Sequence, residues 1–300
     1  MLTASPIGSW MNIRRNEVIE AFQFEFMRNA LLAGLLASVM CGIIGTLVVV
    51  NRIVFISGGI AHAAYGGIGL AFYFGFSYLW GILGFALLVA LIMAAVSFKA
   101  RQRADTIIGV LWAVGMALGV ILLDITPGYN VDLMSYLFGS ILTVPSSELW
   151  FMTLLNAFII VTVGYWYFDL VSVSYDEEFA QVRGVPVKLL YYLLIAMVAL
   201  SVVMVIQVVG LILVIALLTI PPYIAEKYAG SIARMMIYAI LLNLLFTIVG
   251  LWLSYYYNLT SGASIIMVAA IGFFLSLLAE YVKSKWRLKS PSHGSMQKPA

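Results

Sequence analysis

FMRNALLAGLLASVMCGIIGTLVVV, residues 26–50, decides the fold class. Apart from Arg28 and Asn29 it is an apolar or small-residue run long enough, as a helix, to cross the roughly 30 Å hydrocarbon core of a bilayer. It is too long for a signal-peptide core and no small-residue cleavage site follows it, so it reads as a first membrane span, closed by Asn51 and Arg52.

The rest of the chain repeats the pattern. Apolar segments at 54–75, 79–98, 106–123, 147–168, 189–206, 208–225, 235–256 and 262–282 are each near the span length. The expectation is an all-α polytopic helix bundle of about nine spans. The apolar stretch 189–225 would be roughly 55 Å long as one helix, so it must turn, and Gln207 to Gly210 is the place for it. If one of its two parts does not cross, the count is eight. Composition agrees: 64% of residues are hydrophobic and 10% charged, against about 25% charged in soluble domains. Expected domains are a polar, interfacial segment at 1–25, a transmembrane domain at 26–285 and a disordered tail at 286–300. In the first, Val18, Ile19, Phe22 and Phe26 recur at helical spacing beside Arg14, Arg15, Glu17 and Glu20.

Basic residues set the orientation. Lys99, Arg101 and Arg103, then Arg183 and Lys188, then Lys227 and Arg234, and finally Lys283, Lys285, Arg287 and Lys289 all fall on one side of a nine-span chain. By the positive-inside rule that side is cytoplasmic. Arg14, Arg15 and Arg28 oppose this and are outvoted by four loops. Segment 124–148, DITPGYNVDLMSYLFGSILTVPSSE, then lies outside, and its apolar middle is too short to span. It either re-enters as a gate element or rests in the headgroups.

Catalytic chemistry has little to work with. Two histidines, His62 and His293, one cysteine, Cys41, and no paired acids within a span exclude a metal cage, a disulfide framework and an intramembrane catalytic centre; no catalytic residue is assigned. An ion-coupled carrier would keep ionisable groups inside the bundle, and here the acids sit at helix ends or in loops. No phosphate-binding G-x-x-x-x-G-K-[ST] run is present, so any ATPase must be another subunit, and nothing points to nucleic acid.

The second span, FISGGIAHAAYGGIGLA at 55–71, is the most informative. Gly58, His62 and Gly66 recur every four residues, a small-residue face that admits a neighbouring backbone or an aqueous path and aims the imidazole away from lipid. His62 is either a path residue that meets a metal ion transiently or a helix-packing histidine. The ladders Gly34-Ser38-Gly42 and Gly109-Ala113-Ala117 read as packing faces. In the loop DLVSVSYDEEFAQVRGVPVK, 169–188, residues 175–183 can form a short helix with Asp176, Ala180 and Gly184 on one stripe beside Glu178. That stripe suits a groove in a partner, or it belongs to a plain connector.

With these residues in place, the chain resembles the membrane permeases of ABC importers that handle zinc, manganese and iron. The likeness runs from about Phe26 to Lys285. It rests on the glycine-rich second span with its histidine, on D-E-E-F-A-x-x-x-G at 176–184, and above all on GLILVIALLTIPP at 210–222. The resemblance implies that Asp176, Glu178, Ala180 and Gly184 belong to a coupling segment for an ATPase that carries ATP and magnesium, with no cofactor in this chain. It also implies a second permease subunit, an extracytoplasmic metal-binding protein and a place in a prokaryotic plasma membrane. One departure stands out: family members commonly carry Asp four residues before the histidine, and here that position is Gly58. The missing hard oxygen ligand leaves open a metal ion, a metal chelate or another small molecule, and a non-transporting membrane scaffold stands as the rival from another class.

Overall fold

The computed structural model describes residues 25–99, 103–127, 139, 141 and 144–289. The expected interfacial segment 1–25, all but Glu25, and the end of the tail lie outside them, as does most of the middle of 124–148.

Helix α1, Glu25–Val50, opens the bundle. The second span is two helices, α2 (Val54–Ala63) and α3 (Tyr65–Phe74), joined at Ala64. Then come α4 (Tyr78–Lys99), α5 (Ala104–Asp124) and α6 (Ser146–Tyr165). Two short helices, α7 (Tyr167–Tyr175) and α8 (Glu177–Val182), lead to α9 (Val187–Val209), α10 (Leu211–Glu226), α11 (Ile232–Tyr257) and α12 (Ser261–Lys289). Among the described residues eight helical spans, α2 and α3 together forming one of them, are long and apolar enough to cross a membrane, and α10, also apolar, is shorter at 16 residues.

Side-chain contacts give the bundle two ends. At one, Asn51 Nδ2 donates to Ser174 Oγ at 3.0 Å, the Ala233 amide donates to the Tyr167 hydroxyl at 3.1 Å, and Lys227 pairs with Glu280 at 2.8 Å. Lys99, Arg103, Arg183 and Lys188 lie at the helix termini of this basic end. At the other end Asn29 Nδ2 donates to the Val144 carbonyl at 3.2 Å, so α1 and α6 both start there. The apolar run 189–225 turns at Gly210, where φ is +82° and ψ 165°. This is a backbone state that only glycine enters without strain. Gly139 is pressed onto the same turn: a Cβ on it would collide with the backbone of Val209 and Gly210. Gly139 is thus seated at the turn between α9 and α10. Since α10 starts at that turn and ends beside the Lys227–Glu280 pair, it runs from one end of the bundle to the other despite its length.

The core is built on α1, α9 and α10, where Met40, Ile44, Leu47, Val198, Val202 and Val214 are fully enclosed. The Gly34-Ser38-Gly42 ladder lets α1 approach α11 closely, for a Cβ at Gly42 would meet the Ile240 backbone at 2.7 Å. Gly45 faces α10, its Cβ direction reaching the Leu218 carbonyl at 2.5 Å. That carbonyl lacks a helical donor because Pro222 has no N–H, and Pro221 does the same for Leu217.

The second expected ladder does not pack. Ala113 and Ala117 are exposed, and a Cβ at Gly109 would meet nothing within 4 Å. The packing stripe of α5 is instead Ile108, Gly115 and Gly119, against Ala63 and Tyr65 of the second span. Spacing showed a smooth face in both cases; which face met a neighbour depended on the helices around it.

Candidate translocation site

His62 lies in the last turn of α2, one residue before Ala63 and the junction at Ala64. Its imidazole stacks on the indole of Trp112 from α5, with ring centroids 4.1 Å apart and planes inclined by 14°. Phe55, two turns earlier on α2, flanks the same indole at 6.1 Å. The His62 Nδ1 atom is enclosed and has no hydrogen-bond partner among the described residues. A packing histidine would be fixed by a hydrogen bond; this one is held by its ring face, and its nitrogens are not committed to a neighbouring helix through Nδ1.

The glycines around it divide into two kinds. Gly58 is buried yet open in the direction of its missing side chain, with only Ile215 Cδ1 of α10 near, at 3.9 Å. Gly59 is filled by Ile108 and Met93, at 2.6 and 3.1 Å from its Cβ position. Gly66 lies on the far side of the Ala64 junction and is closed by Phe85 at 2.7 Å and the Gly115 carbonyl at 2.9 Å. The three residues spaced by four therefore do not share one surroundings: Gly58 leaves space, His62 stacks on α5, and Gly66 is a close-packing glycine. Trp112 was invisible to sequence reasoning, since nothing local ties residue 112 to residue 62. No group of three or more His, Cys, Asp or Glu side chains suited to hold a metal occurs among the described residues.

At the basic end, Asp176 caps α8, its side chain accepting the Phe179 amide at 2.9 Å. Gly184 follows the helix with φ +82°, a left-handed stop. Ala180 is fully buried, turned into the body of the protein. The stripe Asp176-Ala180-Gly184 is thus split, its middle residue turned inward while Asp176 and Gly184 at its two ends are exposed. The outward surface of this segment also carries Glu178 with Phe179, 56% exposed, and Val182, 89% exposed. Two apolar side chains so bare on a six-residue helix mark a contact surface more clearly than the small residues did.

Residues 23–280 match the model of the ABC 3 transport family. The chain belongs to that family. It is 54% identical over 260 residues to an uncharacterised membrane protein of Synechocystis, covering 87% of this chain and 92% of that one. It is 32% identical to the manganese transport system membrane protein MntC of Listeria monocytogenes, over 85% and 91% of the two chains. Among solved structures it resembles a chain of PsaBC from Streptococcus pneumoniae in complex with Fab, with a TM-score of 0.78, 30% identity, and coverage of 87% and 94%. As an ABC 3 family member it is a multi-pass membrane transport permease of the ABC importer type. The match ends at 280, so the last turns of α12, through Lys289, lie beyond it.

Proposed function

We propose that this permease carries a divalent transition-metal ion into the bacterial cytoplasm, past His62, while separate ATPase subunits hydrolyse ATP. The observation that supports it best is the imidazole of His62: inside a span, stacked on Trp112, with Nδ1 unpartnered among the described residues. Ionisable groups at such depth are unfavourable and are kept for transport paths and relays. A neutral imidazole is a good ligand for zinc, iron or nickel, while manganese favours oxygen donors beside it. The manganese transport name of the Listeria relative points to the same class of substrate.

In this reading the basic end is cytoplasmic. The ATPase docks on Phe179 and Val182 of α8, a second permease subunit completes the path, and an extracytoplasmic binding protein delivers the ion at the end of the bundle where Gly139 sits on Gly210. Gly58 gives a second reading some footing: the space at its Cβ, with no carboxylate to fill it, suits a cargo larger than a bare ion, such as a metal chelate.

The test is uptake by proteoliposomes holding the complete complex, normalised to folded permease. His62→Ala is expected to lower manganese or zinc uptake severely while leaving the permease inserted. Uptake at the unmodified rate would remove His62 from the path, and uptake of chelate but not free ion would select the second reading. A complex that imports neither would remove metal as the cargo.

A further inference from the structure

Helix α12 is longer than a membrane needs. Its 29 residues make about 44 Å, against a hydrocarbon layer of about 30 Å. Glu280 marks where it leaves that layer at the basic end, since it pairs there with Lys227 at 2.8 Å. The helix from Tyr281 to Lys289 therefore runs about 13 Å further, into and through the headgroup region, and beyond the stretch matched by the family.

Charge in this extension is of one sign. Residues 281–300 hold Lys283, Lys285, Arg287, Lys289 and Lys298 and no acid, while the whole chain has a net charge of only +3. Elsewhere at the basic end the signs are mixed: Arg183 and Lys188 follow Asp176, Glu177 and Glu178, and Lys227 follows Glu226. The three basic loops before α12 already supply the bias that orients the chain, so the unmixed charge at its end calls for a separate account. A solvated helix end is the plainest one, and the neighbours of Lys285 argue against it.

Met267, Ile271, Phe274, Leu278 and Tyr281 recur on α12 at spacings of three and four, and each is more than half exposed, so this apolar stripe faces lipid. Lys285 is the next position on the stripe. Its Nζ lies over the Tyr281 ring, 4.7 Å from the centroid. The ammonium is thus held where the lipid-facing stripe passes from acyl chains to headgroups, with an interfacial tyrosine beneath it. Lys283 and Lys285 are exposed and have no carboxylate partner among the described residues, and Glu280, the acid nearest in sequence, is paired with Lys227.

We propose that the cytoplasmic extension of α12 binds anionic phospholipid, with the headgroup phosphate held by Lys285 beside Tyr281 and the acyl chains lying along the stripe that ends there. Lys283, Arg287 and Lys289 add to the local positive field. Four or more Lys and Arg immediately cytoplasmic of a span attract anionic lipid, and the attraction fades within a Debye length. A cytoplasmic protein fits this position less well, because the stripe leading to Lys285 is bare at membrane depth, where lipid is the neighbour. Since Glu280 holds Lys227, a lipid gripped here also steadies the end of α10.

The test places a bimane fluorophore on the full-length permease at exposed Ser284, through Ser284→Cys, with the buried Cys41 left in place. The protein is held in phosphatidylcholine vesicles containing a minor fraction of lipid spin-labelled near the headgroup. Spin-labelled phosphatidylglycerol is expected to quench at least about fivefold more effectively than spin-labelled phosphatidylcholine. Salt at about 1 M should remove the preference. Lys283→Gln, Lys285→Gln, Arg287→Gln and Lys289→Gln combined should remove it too, with Lys285→Gln alone taking the largest share and Tyr281→Leu a part. The salt response is read on the parent side chains, so an insertion defect in the fourfold variant leaves the test intact. Equal quenching by the two lipids in the parent, as when a second permease subunit covers the stripe, would overturn the site. So would a preference that survives salt or the fourfold change. Weaker ATPase capture by the fourfold variant with its lipid preference intact would likewise overturn it, and would give these cations to a protein partner.

Discussion

His62 and Trp112 stack face to face, 4.1 Å between ring centroids, across the contact of α2 with α5. The indole fixes the plane of the imidazole without using its nitrogens, so orientation and availability are supplied by different groups. Trp112→Leu is therefore expected to leave the permease folded but slow metal uptake about as much as a positioning residue does, by ten- to a hundredfold. Trp112→Phe should restore part of it. Equal uptake by Trp112→Leu and the parent would show that the stack is packing only.

His62→Gln separates the two meanings of the histidine. An amide replaces a hydrogen bond but is a poor replacement for a metal-binding imidazole. With Nδ1 unpartnered among the described residues, there is little packing bond to replace. Uptake by His62→Gln should thus stay as low as that of His62→Ala; recovery would make the residue structural.

Gly58 and Gly59 are adjacent and should respond oppositely. At Gly58 an added Cβ meets only Ile215 Cδ1 at 3.9 Å, so Gly58→Ala should be neutral or stabilising by up to ~1 kcal/mol through helix propensity. At Gly59 the Cβ would lie 2.6 Å from Ile108, and Gly59→Ala should cost ~1–3 kcal/mol. Thermal unfolding in detergent measures both. Gly58→Asp, which adds a carboxylate on that side, should shift preference toward harder ions such as manganese.

On α8, Val182→Glu and Phe179→Ala should weaken ATPase capture while leaving expression and insertion unchanged, because both side chains are exposed. Ala180→Trp should behave differently and lose folded protein, since Ala180 is fully buried. Pull-down with the ATPase, set beside the yield of folded permease, distinguishes the cases. Normal capture by both exposed-face variants would make α8 a connector.

The bundle was largely legible in the chain because span length and apolar runs are set by bilayer thickness. That is why the turn at Gly210 and the closing of the first span at Asn51 were readable from residue type alone. What spacing could not supply was direction. Asp176-Ala180-Gly184 and Gly109-Ala113-Ala117 are both regular ladders, yet Ala180 turns inward and Ala113 turns outward, since facing depends on tertiary neighbours. Gly66 looked like a continuation of the His62 face, and the junction at Ala64 gives it other neighbours, with nothing in local composition to announce the break. The pairing of residue 62 with residue 112 required knowing which helices touch.

Helix α10 has 16 residues and so a length of about 24 Å, short of the ~30 Å hydrocarbon layer it runs through. A lipid-facing helix of that length would pull the bilayer thin around it. Here α1, α11 and α12 surround it, so its mismatch is absorbed by protein. Bilayer thickness therefore acts on the permease through its outer helices, above all α5 and α12, whose apolar windows are each only 22% buried. The helix with the proline pair is thus largely screened from the lipid species around the protein, with Ile212 and Tyr223 left exposed.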